Sequence, residues 1–342
     1  MLPTALPKVL VTGANGFLGR HLVAELLGRG YGVRALVRPG PGGGASRAAT
    51  PLPALSSLPI ELCEGDLSRS ATLAGAADGC AAIIHAAALA QVNPARNPAV
   101  WQVNYGGTAA VLKLARYAGV QRLVYVGTAN VFGFGSVSWP GNETRPYAGR
   151  HYGLDYMDSK RAATDLVLRA TAAEQLPAVL VHPTFMLGPG DAKPTSNALL
   201  LALHRQQLPG YPAGGKNYVY VQDVAVATVN ALTQGRVGES YILGNQNLSY
   251  REAFTLIAGV LGATVPRWPV PRALAQLYAA TGELRARLTG RPAAVNRAMA
   301  AVANDGHYFT AQKAVAELSL PQTSIQQAVT EAFAWFQANG YV

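Results

Sequence analysis

The feature that most constrains this chain is a strand that turns through three glycines directly into a helix. Lys8 to Thr12 predict a short apolar strand, and glycines follow at three-residue intervals. Apolar pairs then recur at helical spacing as far as Leu27. Unpaired amides at a helix start attract anions, and glycines let a pyrophosphate approach the backbone. The segment therefore predicts a dinucleotide site, whose expected contacts are Gly13, Asn15, Gly16, Phe17, Leu18 and Gly19.

The glycine spacing is G-x-x-G-x-x-G, whereas the more familiar dinucleotide fingerprint is G-x-G-x-x-G. The chain contains 36 glycines, so spacing alone is weak evidence, and a purely structural turn is the alternative. The strand before the turn and the helix after it favour the binding site.

Composition excludes several classes of protein. Half of the 342 residues are hydrophobic and 13% are charged, which indicates a globular chain of one large domain or two. No uninterrupted run of about 18 apolar residues occurs, and the first strand follows the start closely, so neither a membrane span nor a signal peptide is expected. The net charge is +10, but the basic residues are scattered, so we expect no nucleic-acid partner. Cys63 and Cys80 form no metal-binding pattern, which favours a reduced, cytoplasmic setting without a metal site.

Strands and helices alternate through the first half of the chain. The sequence predicts strands at 31–37, 60–63, 81–85, 123–127 and 178–182, and helices near 71–77 and 100–118. This alternation predicts an α/β fold with a Rossmann-type doubly wound parallel sheet, which binds ligands at the carboxyl ends of its strands. The residues that follow these ends include Gly13, Arg38, Asp66, Ala86 and Thr128. We therefore expect them to converge on one site.

The end of the second strand indicates which cofactor binds. A carboxylate there would bind the ribose 2′-hydroxyl of NAD, but no acidic residue occurs between Glu25 and Glu61. Arg38 takes that place, with Arg34 on the same strand and Arg47 in the following loop. A guanidinium can hold a 2′-phosphate through two hydrogen bonds, so NADP(H) is the expected cofactor and NAD(H) the alternative. The competing explanation is that Arg38 is a solvated residue at a strand end.

Tyr156 and Lys160 are the expected catalytic pair. They lie one helical turn apart in a predicted helix, so they share a face. A nearby ammonium favours the phenolate, so we expect Lys160 to lower the pKa of Tyr156, which suits proton transfer near neutral pH. Thr128 offers a hydroxyl that can orient a substrate oxygen toward Tyr156. Alone, Thr128 would be better explained as a strand-end cap. A single Tyr-x-x-x-Lys pair is likewise a weak motif. Their position after the fifth strand of the predicted dinucleotide fold favours the catalytic explanation.

Short motifs are spread along the whole chain. They are Thr12–Gly19, Gly65–Leu67, His85–Ala87, Asn104 with Gly107–Thr108, Thr128 with Val131–Gly133, Tyr156, Lys160, His182–Pro183 and Gly188–Asp191. Together they resemble the motifs of the extended short-chain dehydrogenases/reductases, the NAD(P)-dependent epimerase/dehydratase family. The tail (313–342) resembles that of the dihydroflavonol-reductase-like branch, which includes bacterial hopanoid-associated sugar epimerases.

The resemblance implies a role for each matching residue. The tyrosine is the acid/base, the lysine holds the nicotinamide ribose, the threonine polarises the substrate oxygen, Asn104 supports the active-site backbone, and Asp66 sits by the adenine. Further cofactor contacts are expected at Leu67, Ala86, Ala87, Ala88, His182 and Pro183, and substrate contacts at Asn93, Thr128, Asn130, Tyr156 and Met186. The family usually has Arg-Pro where this chain has His182-Pro183, and Tyr-Gly where it has Phe132-Gly133. Both departures affect the expected substrate pocket.

The second half predicts a smaller, mixed α/β substrate lobe. Residues 1–180 are expected to form the NAD(P)-binding domain and 181–342 mainly the substrate lobe, with returning segments near 215–245. In the family, the strand-aspartate-helix segment at Tyr218 to Leu232 returns to the nucleotide domain. By resemblance, we also expect a homodimer through the helices near 107–118 and 158–174, although their apolar faces would equally pack on the sheet.

Two later helices are predicted from their ends or faces. Ser249 and Glu252 predict a capping box at the start of a helix that runs to Leu261. Residues 269–288 alternate apolar and basic residues in a helical pattern. A lid or core helix with a solvated basic face is the favoured explanation, and a helix on a membrane surface is the other.

These features lead to three hypotheses for the function on a small-molecule substrate. The first is an NADPH-dependent carbonyl reductase, or the reverse alcohol dehydrogenase, with Tyr156 as the acid/base. The second is a nucleotide-sugar epimerase or dehydratase that uses a tightly bound NAD(P). The third is a non-catalytic cofactor sensor, which the presence of both Tyr156 and Lys160 disfavours.

Overall fold

The computed structural model describes residues 6–39, 55–290, 293 and 295–342. Within these residues the strands, in chain order, are β1 (Leu6–Thr12), β2 (Tyr31–Val37), β3 (Glu61–Glu64), β4 (Ala82–His85), β5 (Arg122–Val126), β6 (Ala178–Pro183), β7 (Phe185–Leu187), β8 (Gly215–Tyr220), β9 (Ser240–Leu243), β10 (Gln246–Ser249) and β11 (Gly306–His307). The α-helices of the same part of the chain are α1 (Phe17–Gly28), α2 (Pro98–Trp101), α3 (Gly107–Tyr117), α4 (Asp155–Glu174), α5 (Ala198–His204), α6 (Val221–Asn230), α7 (Tyr250–Leu261), α8 (Arg272–Thr289), α9 (Arg297–Asn304), α10 (Gln312–Leu318) and α11 (Ile325–Ala338). Among the described helices, none combines the length and the apolar character needed to cross a membrane.

Seven of the described strands form one parallel sheet in the order β3-β2-β1-β4-β5-β6-β9. The chain starts in the middle at β1, winds outward to β3, and then returns to β4 and winds the other way. Ligands of such sheets bind where the winding direction reverses, here between β1 and β4. Because the strands run the same way, their carboxyl ends meet at one edge. The predicted Rossmann-type α/β sheet is therefore confirmed.

Successive residues of each strand point to opposite faces of this sheet. On β1, Val9 and Val11 join a core that also contains Leu22 and Leu26 of α1. Leu10 lies between them and joins a second core beneath α3 and α4. Helices cover both faces, so the strands must be apolar at nearly every position, which explains their continuous hydrophobic runs.

A smaller mixed sheet is centred on β8. Strand β10 pairs with it antiparallel, whereas β7 and β11 pair with it parallel. Helix α6 follows β8 directly and packs against α1, and β9 then becomes an edge strand of the large sheet. The chain thus moves from the small sheet back to the large one within about 30 residues. A second, smaller mixed unit is present, as the sequence predicts.

Two predicted helices differ from the structure. The segment 71–77 contains a short 3-10 helix, Ser70–Leu73, followed by turns at Gly75, whose backbone is left-handed (φ 72°). The helix predicted at 100–118 is divided, because Gln102–Gly106 form a π-helix between α2 and α3. Such a turn holds an extra residue, so the side chains on either side of it no longer follow one periodic face. The hydrophobic pattern gives no sign of this interruption.

Candidate active site

The glycine turn forms a cradle between β1 and α1. Gly13 has a left-handed backbone (φ 74°), and a Cβ there would lie 2.7 Å from the amide nitrogen of Ala87. A Cβ on Gly19 would lie 1.9 Å from the carbonyl oxygen of Gly13, so no side chain fits where α1 packs on the turn. Asn15 and Gly16 are exposed, and no side chain caps the start of α1. Open amides and missing Cβ atoms fit the pyrophosphate of a dinucleotide.

Arg38 and Asp66 lie near each other beyond the ends of β2 and β3. Asp66 accepts hydrogen bonds from the hydroxyl (2.7 Å) and the backbone amide (2.9 Å) of Ser68. These bonds, with smaller effects of Arg69 and Arg38, lower the pKa of Asp66. In the described part of the chain, Asp66 forms its ion pair with Arg69 (3.6 Å), so the exposed Arg38 remains available to another anion. Arg47 lies outside the described residues.

A buried hydrogen-bond chain joins the glycine turn to the end of β4, and His85 is at its centre. Nδ1 of His85 lies 2.7 Å from the Thr12 hydroxyl, which also accepts a bond from the amide of Ala87 (3.2 Å). Nε2 lies 3.1 Å from the hydroxyl of Thr108, which donates to the carbonyl oxygen of Asn104 (2.6 Å). Burial lowers the pKa of His85 to about 3, so the ring is neutral.

The hydrogen bonds of this chain determine the tautomer of His85. The Thr108 proton is used on Asn104, so the Thr108 oxygen accepts from His85 and the ring proton is on Nε2. Nδ1 then accepts from Thr12. This role of His85 was not predicted from its motif. The available signal is that Thr12 and Thr108 occur in two other motifs of the chain.

Asn104 is the buried residue of the π-helix, and it connects two parts of the site. Its side chain accepts a hydrogen bond from the amide of Leu89 (2.8 Å) and donates to the Leu89 carbonyl (3.2 Å). It also donates to the hydroxyl of Ser159 (3.1 Å), which lies on α4 between Tyr156 and Lys160. Asn104 therefore connects the loop after β4 to the helix that carries Tyr156 and Lys160.

Tyr156 and Lys160, the predicted catalytic pair, lie on the first turns of α4, and Thr128 lies within hydrogen-bond reach of Tyr156. Burial raises the pKa of Tyr156, and a hydrogen bond from the side chain of Thr128 offsets part of this effect. Lys160 donates to the carbonyl oxygen of Val126 (2.6 Å) and lies 4.5 Å from the centre of the Tyr125 ring. Burial lowers the pKa of Lys160 to about 7.

The predicted lowering of the pKa of Tyr156 by Lys160 is wrong in sign. The Lys160 ammonium donates to the carbonyl oxygen of Val126 at the end of β5 and not to the phenol. The largest effect on the pKa of Tyr156 is the loss of hydration on burial, which raises it. The phenol is therefore protonated at neutral pH. This state suits a residue that donates a proton, whereas a phenolate would suit one that removes a proton.

The predicted contact residues divide by accessibility. Those with exposed or partly exposed surface are Gly13, Asn15, Gly16, Phe17, Arg38, Asp66, Ala86, Ala87, Ala88, Asn93, Asn130, Tyr156 and Met186. Those that are buried are Leu18, Gly19, Leu67, Asn104, Thr128, Lys160, His182 and Pro183. The first set has surface that a ligand can contact, whereas the second set has little or none.

His182 is fully buried near the end of β6. Its ring packs edge-on to Phe132 (4.8 Å between centres), and Nε2 lies 3.2 Å from the hydroxyl of Ser240. A Cβ on Gly127 would lie 2.3 Å from its Nδ1, which explains the glycine at that place. Burial lowers the pKa of His182 to about 3. Because His182 has no exposed surface, direct contact with a cofactor would require neighbouring residues to move, and that contact stays a prediction.

Asn130, in the segment that follows β5, contacts the smaller sheet. Its side-chain oxygen lies 3.1 Å from Nδ1 of His307, whose Nε2 lies 3.2 Å from the hydroxyl of Tyr152. Tyr152 donates to Asp305 (2.6 Å), and the ring of Phe134 stacks on His307 (4.2 Å). This contact was not predicted, because no spacing in the sequence relates residue 307 to the glycine or tyrosine motifs.

The chain is similar to known proteins in sequence and in fold. The model of the NAD dependent epimerase/dehydratase family matches residues 9–244. A putative dihydroflavonol 4-reductase of Synechocystis is 34% identical, over 97% of this chain and 95% of its own length. A 3 beta-hydroxysteroid dehydrogenase/Delta 5-->4-isomerase of Mycobacterium tuberculosis is 30% identical, over 98% and 92%. The crystal structure of a nucleoside-diphosphate-sugar epimerase from Pseudomonas aeruginosa superposes with a TM-score of 0.79 at 26% identity, covering 98% of this chain and 99% of the other.

Proposed function

The chain belongs to the NAD-dependent epimerase/dehydratase family of extended short-chain dehydrogenases/reductases, and we propose that it is an NADPH-dependent reductase of lipophilic ketones or aldehydes. It is thus an NAD(P)-dependent enzyme that acts on small molecules. The observation that carries the proposal is the pairing of a protonated Tyr156 with the Thr128 hydroxyl, next to the glycine cradle. The names of the relatives, a putative dihydroflavonol 4-reductase and a 3 beta-hydroxysteroid dehydrogenase/Delta 5-->4-isomerase, support an apolar carbonyl substrate.

Each residue has a defined task in this reaction. The cradle at Gly13 and Gly16 holds the pyrophosphate, and Lys160 holds the nicotinamide ribose. When bound, NADPH supplies the hydride that adds to the carbonyl carbon. With substrate bound, Thr128 turns its one hydroxyl proton from Tyr156 to the carbonyl oxygen and keeps that oxygen against Tyr156. Tyr156 transfers its phenolic proton to that oxygen, so the product is the alcohol.

The preference for NADPH rests on Arg38. Its exposed guanidinium follows β2, and the sequence offers no carboxylate there for a ribose 2′-hydroxyl. Losing charged hydrogen bonds to a 2′-phosphate costs about 1.5–3 kcal/mol, which is about tenfold to hundredfold in affinity. We therefore expect Arg38→Asp to weaken NADPH binding by that factor and to leave NADH binding nearly unchanged.

The test is a titration of the purified protein with NADPH and NADH, followed by nicotinamide fluorescence. Tighter binding of NADPH by the wild type, lost in Arg38→Asp, is the expected result. Arg169→Asp, an exposed arginine near the far end of α4, is the matched control and should behave like the wild type. Equal affinity for both cofactors in the wild type would remove Arg38 from this role.

A nucleotide-sugar epimerase is the second candidate, and Lys216 is the observation that favours it. Its ammonium lies 5.5 Å from the centre of the Phe185 ring on the substrate side. Burial lowers the pKa of Lys216 to about 8, and no ion pair with it occurs within the described residues. A substrate phosphate would suit this cation. Under this alternative the protein co-purifies with its cofactor and shows no net consumption of NADPH, whereas a reductase oxidises one NADPH per alcohol formed.

The homodimer predicted from the resemblance stays part of the proposal. The apolar faces of α3 and α4 pack on the sheet, through residues such as Val111 and Val167. The outer surface carries Tyr117, which is 92% exposed, and an ion pair between Arg116 and Glu174. A dimer through these helices would therefore use their polar outer surface.

A further inference from the structure

Helix α8 presents its large apolar side chains to the solvent. Leu274, Leu277, Tyr278, Leu284 and Leu288 are between 58% and 80% exposed. Their spacing of three, one, six and four residues places them on one side of the helix. We call this set the α8 stripe. Exposed apolar residues that occur singly need no explanation, but a continuous row of five marks an interaction surface.

The inward side of α8 is made of small residues. Ala279 is fully buried, Ala275 and Ala286 are partly buried, and α8 packs against α9. A Cβ on Gly282 would lie 3.6 Å from the Cβ of Ala293. An ordinary surface helix buries its large apolar residues and exposes its polar ones. Here the contact with the protein uses alanine and glycine, and the leucines point outward, so the stripe is not part of the core.

The charge around the stripe is strongly positive. Residues 262–304 contain six arginines and one acidic residue, Glu283. Glu283 is already paired with Arg297, whose Nε lies 3.3 Å from it. Arg267 and Arg285 are exposed, and neither forms an ion pair within the described chain. An apolar surface flanked by unpaired arginines complements an apolar layer covered by anionic groups.

Trp268 adds a residue type that is typical of membrane interfaces. It is 74% exposed and lies four residues before Arg272, the first residue of α8. Tryptophan and tyrosine favour the headgroup level of a bilayer because one end of the ring system is apolar and the other can form hydrogen bonds. A second copy of the chain would place the same positive charge against itself, which opposes association.

We propose that the α8 stripe, with Trp268, docks on the surface of an anionic lipid bilayer, with α8 lying in the plane of the interface. The leucines enter the acyl boundary, and Arg267 and Arg285 contact anionic headgroups. This binding does not depend on the reaction that the enzyme catalyses.

The docked surface is only one helix away from the catalytic tyrosine. Asn296, which caps α9, donates to the carbonyl oxygen of Val92 in the loop after β4 (2.7 Å). Ala298 and Val302 of α9 pack in one cluster with Tyr156. If the proposed reduction of lipophilic carbonyls is correct, this arrangement brings Tyr156 close to a membrane that dissolves the substrate.

The test is flotation of the purified full-length protein with lipid vesicles. One set contains phosphatidylcholine alone, and the other contains roughly 30% phosphatidylglycerol. We expect the wild type to float with the anionic vesicles at about 0.1 M salt, and to float at least about tenfold less with the neutral ones. The double variant Leu277→Glu/Leu284→Glu should lose at least about tenfold of this binding. Val237→Glu, a change of another exposed apolar residue, is the control and should float like the wild type.

Charge-reversal variants and a cofactor titration provide two further tests of the proposed docking. Arg285→Glu should weaken flotation, whereas Arg251→Glu on α7 should not. Titration with NADPH should give the same affinity for every variant, which shows that the variants are folded and separates this proposal from that of the reaction. Failure of the wild type to float, or equal flotation of the leucine variant, would overturn the proposal. A lipid-free dimer that Leu277→Glu/Leu284→Glu dissociates would also overturn it, because a second copy would then cover the stripe.

Discussion

The two sides of the proposed active site are built on different principles: the cofactor side is the glycine cradle, and the substrate side is formed by α8 and α9. On the cofactor side, Gly13 and Gly19 allow backbone contacts that leave no room for a Cβ, and His85 completes a buried chain of hydrogen bonds. On the substrate side, α8 and α9 meet through small residues and expose leucines. Backbone contacts demand particular residue types at particular positions, so the cofactor side leaves a motif in the sequence. Side-chain surfaces can be built in many ways, so the substrate side leaves none.

The strongest test of this contrast is Gly19→Ala. The new Cβ would lie 1.9 Å from the carbonyl oxygen of Gly13, and a backbone atom cannot rotate away as a side chain does. We expect the free energy of unfolding to fall by about 3–5 kcal/mol, at the severe end for a single substitution. Urea denaturation measures this change, and a fluorescence titration measures the accompanying loss of NADPH affinity.

Gly28→Ala is the control for that experiment, since it changes a glycine of the same helix. Nothing lies within 4 Å of a Cβ built on Gly28. Alanine is the better helix former, so stability should stay equal or rise by up to about 1 kcal/mol. If both variants lost the same stability, the cradle would not be the cause.

The next largest effect concerns the chemistry between the two sides. Tyr156→Phe removes the proposed proton donor and should lower the turnover number by at least about 100-fold, the scale of a positioned acid/base. NADPH affinity should remain, because the cradle is intact. Steady-state rates with an aldehyde or ketone substrate and the fluorescence titration measure both quantities. Tyr278→Phe, on the exposed side of α8, is the control and should leave the turnover number unchanged. A Tyr156→Phe variant that keeps most of its activity would show that Tyr156 is not the proton donor.

A third prediction uses the buried ammonium of Lys160. Its pKa is about 7 in the folded protein, against 10.5 when unperturbed. Between these values the unfolded state binds one more proton than the folded state, so stability rises with pH. The rise is at most about 1.4 kcal/mol for each pH unit.

Lys160→Met removes this titration, so the stability of the wild type relative to the variant should increase from pH 7 to pH 10. Urea denaturation across that range gives the difference. Lys113→Met, at an exposed position of α3, should show no comparable increase. A constant difference between the wild type and Lys160→Met would mean that the amine is solvated in the folded protein.

The sequence predicts well whatever depends on local backbone rules. The strand, glycine turn and helix at the start, and the capping box of Ser249 and Glu252, are present as predicted. The carboxyl ends of β1 to β5 meet at one edge because parallel strands leave no other arrangement. Each of these features follows from interactions between residues that are close in sequence or from a rule of connection.

What could not be predicted depends on contacts between distant residues. The sign of the pKa shift of Tyr156 follows from its burial, which a four-residue spacing does not reveal. The π-helix around Asn104 is held by Leu89 and by Ser159 of α4, which lie 15 and 55 residues away. Helix α8 has an amphipathic pattern in the sequence, but the direction of its apolar face depends on the small residues that α9 contacts. The periodicity alone favoured a lid or core helix.

The smallest expected effect concerns the exposed leucines of α8 on the substrate side. Leu277→Gln should change the free energy of unfolding by less than about 0.5 kcal/mol, because Leu277 is 60% exposed and little apolar surface is lost from the core. Phe336→Ala, at a residue of α11 that is 1% exposed, should cost about 3–5 kcal/mol in the same urea measurement. A large loss for Leu277→Gln would show that the leucine is covered in solution. A negligible loss means that folding of the chain does not require this leucine, so its presence on the surface calls for an explanation outside the folded chain, such as the bilayer.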